Sequence, residues 1–149
     1  RLRGASYISV FDCTDGYHQQ RLRPSDCHKT AFTAHSGQFE WTRVPQGLKN
    51  APRYFNLAMK KGLESVSGFT NIYFDDLCVF SSNLQEHLGH LRRVFEELKK
   101  IGVTLKGSKS KVGFAAVKYL GHVVDGNGVR VDPEKVAAVV EYKRPESVD

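Results

Sequence analysis

Asn71-Ile72-Tyr73-Phe74-Asp75-Asp76-Leu77-Cys78-Val79-Phe80 reads as two short apolar strands with adjacent carboxylates at the bend between them. Ile72, Tyr73 and Phe74 fill one arm and Leu77, Val79 and Phe80 the other, all residues suited to a pleated, half-buried surface. Hairpins commonly bend at Asn-Gly or Asp-Gly, because glycine accepts positive φ. Asp75-Asp76 takes that place here, and two carboxylates about 4 Å apart repel by roughly 4 kcal/mol at an effective dielectric of about 20. A hard divalent cation with oxygen ligands offsets such repulsion. Taken alone, the dipeptide also reads as a solvated acidic turn, so its meaning depends on what the rest of the chain brings to it.

The 149 residues, 40% of them hydrophobic, suffice for one sizeable core, so the whole of 1–149 is expected to be a single unit. Lys and Arg number 22 against 16 Asp and Glu, and this formal charge of +6 favours polyanionic partners such as nucleic acid or an anionic membrane. No apolar run is long enough to span a bilayer, and the N-terminus does not resemble a signal peptide. Cys13, Cys27 and Cys78 are odd in number and scattered, which fits a reducing compartment better than a disulfide framework or a zinc site. His87 and His90 stand one helical turn apart with no second ligand pair, and are expected on a solvent-facing helix surface. Neither end looks like a natural polar tail, which suggests a piece of a longer polypeptide.

Along the chain, 7–11 is a buried strand that delivers Asp12 at its end, and Asp15-Gly16-Tyr17 forces a turn. Alternation over 30–35 and 38–44 predicts two strands joined at Ser36-Gly37, closed by Pro45-Gln46-Gly47. Asn50 as cap and Pro52 in the first turn predict a helix to about residue 65, with Phe55, Met59 and Leu63 facing inward. After the hairpin, Ser82 or Asn83 caps an amphipathic helix carrying Leu84, His87 or Leu88, Leu91, Val94 or Phe95, and Leu98, which Gly102 ends. A strand at 103–105, a basic loop at 106–111, a hairpin turning at Asp125-Gly126-Asn127-Gly128 and a helix from Asp132 to about Tyr142 complete the chain.

The centre therefore reads strand (7–12), helix (51–65), strand (70–74), strand (77–81), helix (83–101), strand (103–105). That is the split β-α-β-β-α-β pattern of ferredoxin-like α+β folds. In that topology the first strand lies beside the hairpin and brings Asp12 next to Asp75 and Asp76. Three carboxylates at one sheet edge suit two Mg²⁺ ions about 3.5–4 Å apart, since magnesium keeps waters and borrows substrate phosphates.

At these residues the chain resembles the reverse transcriptases. Phe11-Asp12-Cys13-Thr14-Asp15-Gly16-Tyr17-His18-Gln19 is similar to their first catalytic motif, and Tyr73-Phe74-Asp75-Asp76 to their Tyr-x-Asp-Asp box. Thr30-Ala31-Phe32-Thr33 with 37–41 resembles the strands between, and 45–52 the nucleotide- and template-contacting motif. Tyr119-Leu120-Gly121-His122 with 130–136 looks most like the polyproteins of gypsy-type LTR retrotransposons and their retroviral relatives. The resemblance implies a polymerase palm, with a fingers-like part over about 19–50 and a primer-grip hairpin leading to the thumb over about 115–149.

It implies an RNA-directed DNA polymerase working with two Mg²⁺ ions (or Mn²⁺ in their place), dNTPs, an RNA template and a DNA primer duplex. Asp12, Asp75 and Asp76, with the Cys13 carbonyl, would hold the metals, and Lys109 would protonate or neutralise the departing pyrophosphate. Asp15 and Gly16 would lie under the triphosphate. Tyr17 would exclude a ribose 2′-hydroxyl, and Gln46 would line the sugar. Pro45 and Gly47 would shape the template side, Tyr73 and Phe74 would border the primer end, and Leu120 and Gly121 would hold its backbone. Arg92, Arg93, Lys99, Lys100 and Lys118 are candidates for duplex phosphates or plain surface charges. The resemblance also implies a thumb, an RNase H and an integrase elsewhere in the polyprotein, no membrane partner, and a cytoplasmic location within virus-like particles.

Phe74 departs from the Met, Val, Leu or Ile usual at its position, and its ring is expected to modulate fidelity or nucleotide choice. The rival functions are an inactive or domesticated module that binds RNA or protein, and a nuclease using the same carboxylates.

Overall fold

The computed structural model describes residues 2–142. In chain order it contains β1 (Tyr7–Asp12), β2 (Phe32–Ala34), β3 (Gly37–Phe39), α1 (Ala51–Gly62), β4 (Thr70–Tyr73), β5 (Asp76–Ser81) and α2 (Leu84–Ile101). There follow β6 (Lys111–Phe114), β7 (Ala116–Tyr119), β8 (His122–Asp125), β9 (Gly128–Val131) and α3 (Pro133–Val140). Single 3-10 turns lie at Gly16–Gln19, Pro24–Thr30, Glu64–Val66 and Gly107–Lys109.

One antiparallel sheet has the order β4-β5-β1-β6, the ferredoxin-like arrangement expected of the split pattern. Side chains alternate across a strand, so Tyr7, Ser9 and Phe11 face one way and Ile8, Val10 and Asp12 the other. Phe11, Leu77 and Val79 pack with Phe55, Met59 and Leu63 around α1 and with Leu91, Val94 and Leu98 of α2. On the opposite face, Ile8, Val10, Cys78 and Phe80 meet Val117, Tyr119 and Val124 of the β7-β8-β9 sheet. The architecture is α+β: helices, a four-stranded sheet, then a three-stranded one.

Several boundaries differ from the expectations. The fourth strand of the large sheet is β6, not 103–105, because 103–105 runs alongside the chain just past the end of β1. There it makes one bridge, Leu105 to Cys13, plus hydrogen bonds from Thr14 N to Thr104 O (3.1 Å) and from Lys106 N to Asp12 O (2.8 Å). The hairpin bends at Phe74-Asp75 rather than Asp75-Asp76, since Tyr73 already pairs with Asp76.

β2 and β3 are three residues each and exposed, because Thr30 closes a 3-10 turn and the segment after Phe39 leaves the ladder. α1 stops at Gly62, where a Cβ would come within 2.7 Å of Ile101 Cγ2, and the Asn50 side chain makes no cap bond. Asn83 does cap α2, accepting from Glu86 N at 2.9 Å, and Gly102 ends it at φ 70°. α3 opens at Asp132, whose side chain accepts from Glu134 N. Residues 143–149 of the expected thumb start lie outside the described residues. No helix among those described is long and apolar enough to cross a membrane.

His87 is the sharpest correction. It is 1% exposed, with Nε2 2.7 Å from Ser9 Oγ and Nδ1 2.9 Å from Ser81 Oγ. The solvent-facing expectation fails because β1 and β5 offer buried hydroxyls that satisfy both ring nitrogens, so histidine occupies a core position of α2. His90 is partly buried, stacked on Phe69 with ring centroids 3.7 Å apart.

Burial, and secondarily the neighbouring His90, hold the His87 pKa below its ordinary value. As pH falls below about 6.5 the unfolded chain binds a proton that the folded chain refuses, so this contribution to stability is present above that pH and lost below it. Urea midpoints are expected to fall between pH 7.5 and pH 5.5, and His87→Gln, which cannot take up the proton, should flatten that slope. His87→Leu, which leaves buried hydroxyls unpaired, should cost about 1–3 kcal/mol at neutral pH.

Candidate active site

β1 and β5 run in register from Tyr7↔Ser81 to Asp12↔Asp76, so the two carboxylates are cross-strand partners. By alternation they share the face carrying Ile8, Val10, Cys78 and Phe80, opposite the helices. Asp75 sits in the turn, and Cys13 N donates to its carbonyl at 3.0 Å, tying the bend to the end of β1. Phe74 enters that turn at φ 53°, a conformation bulky residues seldom adopt.

Asp12 is the shared wall of two clefts. One, of about 220 Å³, is lined by Asp12, Cys13, Asp15, Gly16, Tyr17, Gln46, Asp75 and Lys109, together with His18 and Lys106. The other, of about 260 Å³, is lined by Asp12, Asp76, Lys109, Lys111, Lys118, Tyr119 and Leu120 among others. Asp75 thus opens on the first cleft and Asp76 on the second.

The electrostatics follow this crowding. Burial, then Asp75 and Asp12, push the Asp76 carboxyl up, and Lys109 partly opposes them. The Cys13 thiol is pushed up to about 12 by burial and by Asp75, Asp12 and Asp76. Burial and Asp75 raise the Tyr17 phenol. Lys109 Nζ lies 3.4 Å from Asp12 Oδ2, across a gap open to solvent.

The first cleft is floored by a close approach. A Cβ on Gly16 would stand 3.1 Å from Phe55 Cζ, and the Tyr17 ring meets Phe55 edge-on with centroids 6.0 Å apart. Asp15 is exposed in a left-handed conformation (φ 45°), and its carbonyl accepts from His18 N at 2.8 Å. Gln46 reaches the cleft from the loop after Pro45, followed by Gly47 at φ 91°. Pro45 is buried and Gly47 exposed, and neither lines this cleft.

Tyr73 and Phe74 also lie outside both clefts, edge-on to one another at 4.7 Å, with Tyr73 52% exposed. Leu120 lines the second cleft and Gly121 does not. The two form a hairpin turn between Tyr119 and His122, with φ 51° and 74°, the doubly left-handed geometry of a type I′ turn.

Sequence reasoning missed His18, Lys106, Lys111 and Tyr119 as lining residues. The alternation of β7 could have put Tyr119 on the same face as Val117, but nothing local showed which sheet it would cover. The Tyr119 hydroxyl is buried and has no hydrogen-bond partner among the described residues; burial pushes its pKa up, helped by Cys78 and Asp76. Of the five basic residues considered for duplex phosphates, Arg92, Arg93, Lys99 and Lys100 belong to α2, on the far side of the sheet from Asp12 and Asp76. Lys118 is engaged by Asp132 (3.1 Å) and Glu134 (2.7 Å).

Among the described residues no three His, Cys, Asp or Glu side chains gather tightly enough to hold a metal ion unaided. What is present is a sparse set of hard oxygen donors at one sheet edge, with Asp76 pushed up by burial and then by its carboxylate neighbours. This set fits a small hard cation that keeps water and takes substrate oxygens, and does not fit a closed all-protein cage.

The class is that of ferredoxin-like α+β palms, with carboxylates at the end of the first strand and at the central hairpin. The reverse transcriptase (RNA-dependent DNA polymerase) family model matches residues 1–124, and the chain belongs to that family. It is 37% identical over 148 residues to the retrovirus-related Pol polyprotein from transposon opus of Drosophila melanogaster, covering 99% of this chain and 15% of that protein. The corresponding polyprotein from transposon gypsy, also of Drosophila melanogaster, is 34% identical over 148 residues, covering 99% of this chain and 14% of that one.

Among solved structures, the foamy viral protease-reverse transcriptase in complex with RNA/DNA hybrid superposes with TM-score 0.86 at 28% identity, covering 94% of this chain and 19% of that one. Its dRH form with double-stranded DNA gives 0.88, also at 28% identity, covering 95% and 25%. The chain therefore spans about 15% of the length of the curated relatives it matches.

Gly16→Ala tests the floor of the first cleft. The added methyl needs the Phe55 ring to give by a few tenths of an ångström, and because that ring is fully buried a loss of about 1 kcal/mol is expected in urea unfolding. Unchanged stability would contradict the close contact.

Proposed function

We propose that this chain is the palm, with part of the fingers, of an RNA-directed DNA polymerase that extends a primer on an RNA or DNA template as part of a Pol polyprotein. The observation that carries this reading is the Asp12↔Asp76 register pair with Asp75 at the adjacent turn, facing Tyr17 and Gln46 across one cleft. The reading as an inactive binding module is not favoured, since the Pol polyproteins match nearly the whole chain.

In this reading Asp12, Asp75 and Asp76, with the Cys13 carbonyl, hold divalent cations, Mg²⁺ being the hard ion best suited to the donor set. Two such ions, when bound, supply activation of the attacking hydroxyl and neutralisation of the leaving phosphate charge. The primer 3′-hydroxyl gives up its proton to solvent as its oxygen bonds to the α-phosphorus of a dNTP, the bond from that phosphorus to the bridging oxygen breaks, and pyrophosphate leaves. Lys109 gives a proton to that leaving group or neutralises it, having its ammonium beside Asp12.

Asp15 and Gly16 lie under the triphosphate, and Gln46 lines the sugar. The Tyr17 ring, braced edge-on by Phe55, fills the space a 2′-hydroxyl would need. Pro45 and Gly47 shape the template side, Tyr73 and Phe74 border the primer end, and Leu120 and Gly121 support its backbone. The fingers-like part covers about 19–50, and the hairpin leading toward a thumb begins near residue 115. A thumb, an RNase H and an integrase belong to the same polyprotein, which works in the cytoplasm within virus-like particles.

Primer extension on poly(rA)/oligo(dT) with the full-length protein is the test. Asp12→Asn, Asp75→Asn and Asp76→Asn should each slow extension on the order of a hundredfold or more, and extension that survives all three would sink the reading. Tyr17→Ala should retain dNTP extension while raising ribonucleotide incorporation. Unchanged sugar discrimination would remove Tyr17 from its assigned role.

A further inference from the structure

The edge beside β1 is shared by two segments of chain. Residues 104–106 follow the end of β1 through the Thr14, Cys13 and Asp12 backbones. The chain then leaves as the 3-10 turn Gly107–Lys109 and returns as β6, where Lys111 faces Val10 and Phe114 faces Ile8. Between those pairs Ser9 opposes both Val112 and Gly113, a bulge with Gly113 at φ 73°. Lys109 rides on this excursion, whose residues from Lys106 to Lys109 are all exposed. The turn is closed within itself by Lys109 N to Lys106 O (3.1 Å) and Ser110 Oγ to Lys106 O (2.9 Å), so its placement is set at its ends, where it joins the sheet.

Two side chains grip those ends. The Gln19 amide takes the place of a strand partner at Thr104. Its Oε1 accepts from Thr104 N at 2.7 Å and its Nε2 donates to Thr104 O at 3.0 Å, with a further bond to Thr14 O. At the other end Ser9 Oγ accepts the Gly113 N–H at 2.9 Å. The same hydroxyl lies 2.7 Å from His87 Nε2, while His87 Nδ1 lies 2.9 Å and His90 Nδ1 2.8 Å from Ser81 Oγ. These buried contacts place the Ser9 oxygen between His87 and the Gly113 amide.

We propose that Gln19 and Ser9 are positioning residues for Lys109: by gripping Thr104 and Gly113 at the two ends of an exposed excursion, they hold its ammonium over Asp12. The inference rests on the role given to Lys109 under Proposed function. Neither side chain lies at the reacting atoms, and each acts by narrowing where Lys109 can be. Misplacing a reacting group by about 1 Å can cost roughly a hundredfold in rate, so losing one side-chain anchor while the backbone bonds remain is expected to cost about tenfold.

The test is single-turnover primer extension by the full-length protein, combined with hydrogen exchange. Gln19→Ala and Ser9→Ala should each lower the maximal extension rate about tenfold while leaving the apparent nucleotide Kd within about twofold. Exchange should accelerate at the Thr104 amide in the first variant and at the Gly113 amide in the second. In a Lys109→Ala background the same substitutions should slow extension by less than about twofold further, since the group they position is gone. Ser9→Thr, which keeps the hydroxyl, should restore protection and rate.

Gln19 is half-buried at the surface, so Gln19→Ala carries the cycle by itself if Ser9→Ala fails to fold. A Lys109→Ala protein that extends at the parent rate overturns the role of Lys109. A slow Lys109→Ala protein on which the Gln19 or Ser9 losses multiply in full overturns the positioning alone.

Discussion

The antiparallel register of β1 against β5 is the constraint on which the rest depends. It sets Asp12 opposite Asp76, and like charges directly opposed across a ladder are destabilising. Ile8, Val10, Phe11, Leu77, Cys78, Val79 and Phe80 are all buried along the same two strands, on both faces. At roughly 1.5–3 kcal/mol for each fully buried large apolar side chain, even discounted for a compact unfolded state, they outweigh a carboxylate repulsion of roughly 4 kcal/mol. A slip of one residue would turn both apolar sets to the wrong faces, so no cheaper register is open to the pair. The site's charge crowding is imposed by strands that have no freedom to relieve it.

The same alternation explains how the two faces divide the work. The helix face takes the larger part of the core, and its polar exceptions, Ser9, Ser81 and His87, are satisfied by one another. The opposite face is covered by β7-β8-β9 only as far as Val117, Tyr119 and Val124. Beyond that cover the sheet edge is open, and there Asp12 and Asp76 lie with Lys109, Lys111 and Lys118 around them. Basic residues on α2 add to the net charge, yet sit behind the sheet. Composition points to a polyanionic partner without saying which surface meets it.

Much of this was legible in the sequence because it rests on local signals. The apolar runs at 7–12 and 77–81, the Asn83 and Gly102 caps and the Phe55-Met59-Leu63 stripe all follow from short-range chemistry. The topology that joins Asp12 to the hairpin was legible from element order. What was not legible depends on long-range pairing. Val103-Thr104-Leu105 has strand composition, but the Gln19 side chain and the end of β1 occupy it without a ladder, while the plainer Lys111–Phe114 takes the sheet position. His87 reads as solvent-facing for want of a second ligand pair, although it also falls on the helical stripe as the alternative to Leu88, and the buried hydroxyls of Ser9 and Ser81 make it the core residue. Lys109 is singled out among the lysines of its loop by resemblance alone, and its place 3.4 Å from Asp12 Oδ2 depends on the excursion after Leu105.

The bend at Phe74-Asp75 shows how strain and placement are linked. Glycine or asparagine would adopt φ near 53° at little cost, whereas a bulky residue gives up roughly 1–2 kcal/mol there. Phe74 recovers part of that through its edge-on contact with Tyr73 and its partial burial. A glycine would make the turn cheaper and also looser, because it gains conformations that phenylalanine lacks. Asp75 follows immediately, and its carbonyl is the acceptor that ties the turn to Cys13. A turn that must hold one carboxylate in the first cleft and start its neighbour on β5 toward the second gains from a residue with few alternatives. The unfavourable dihedral at Phe74 and the crowded carboxylates beside it thus have one origin: a two-residue bend is the shortest connection that keeps Asp75 next to Asp12 while Asp76 stays in register.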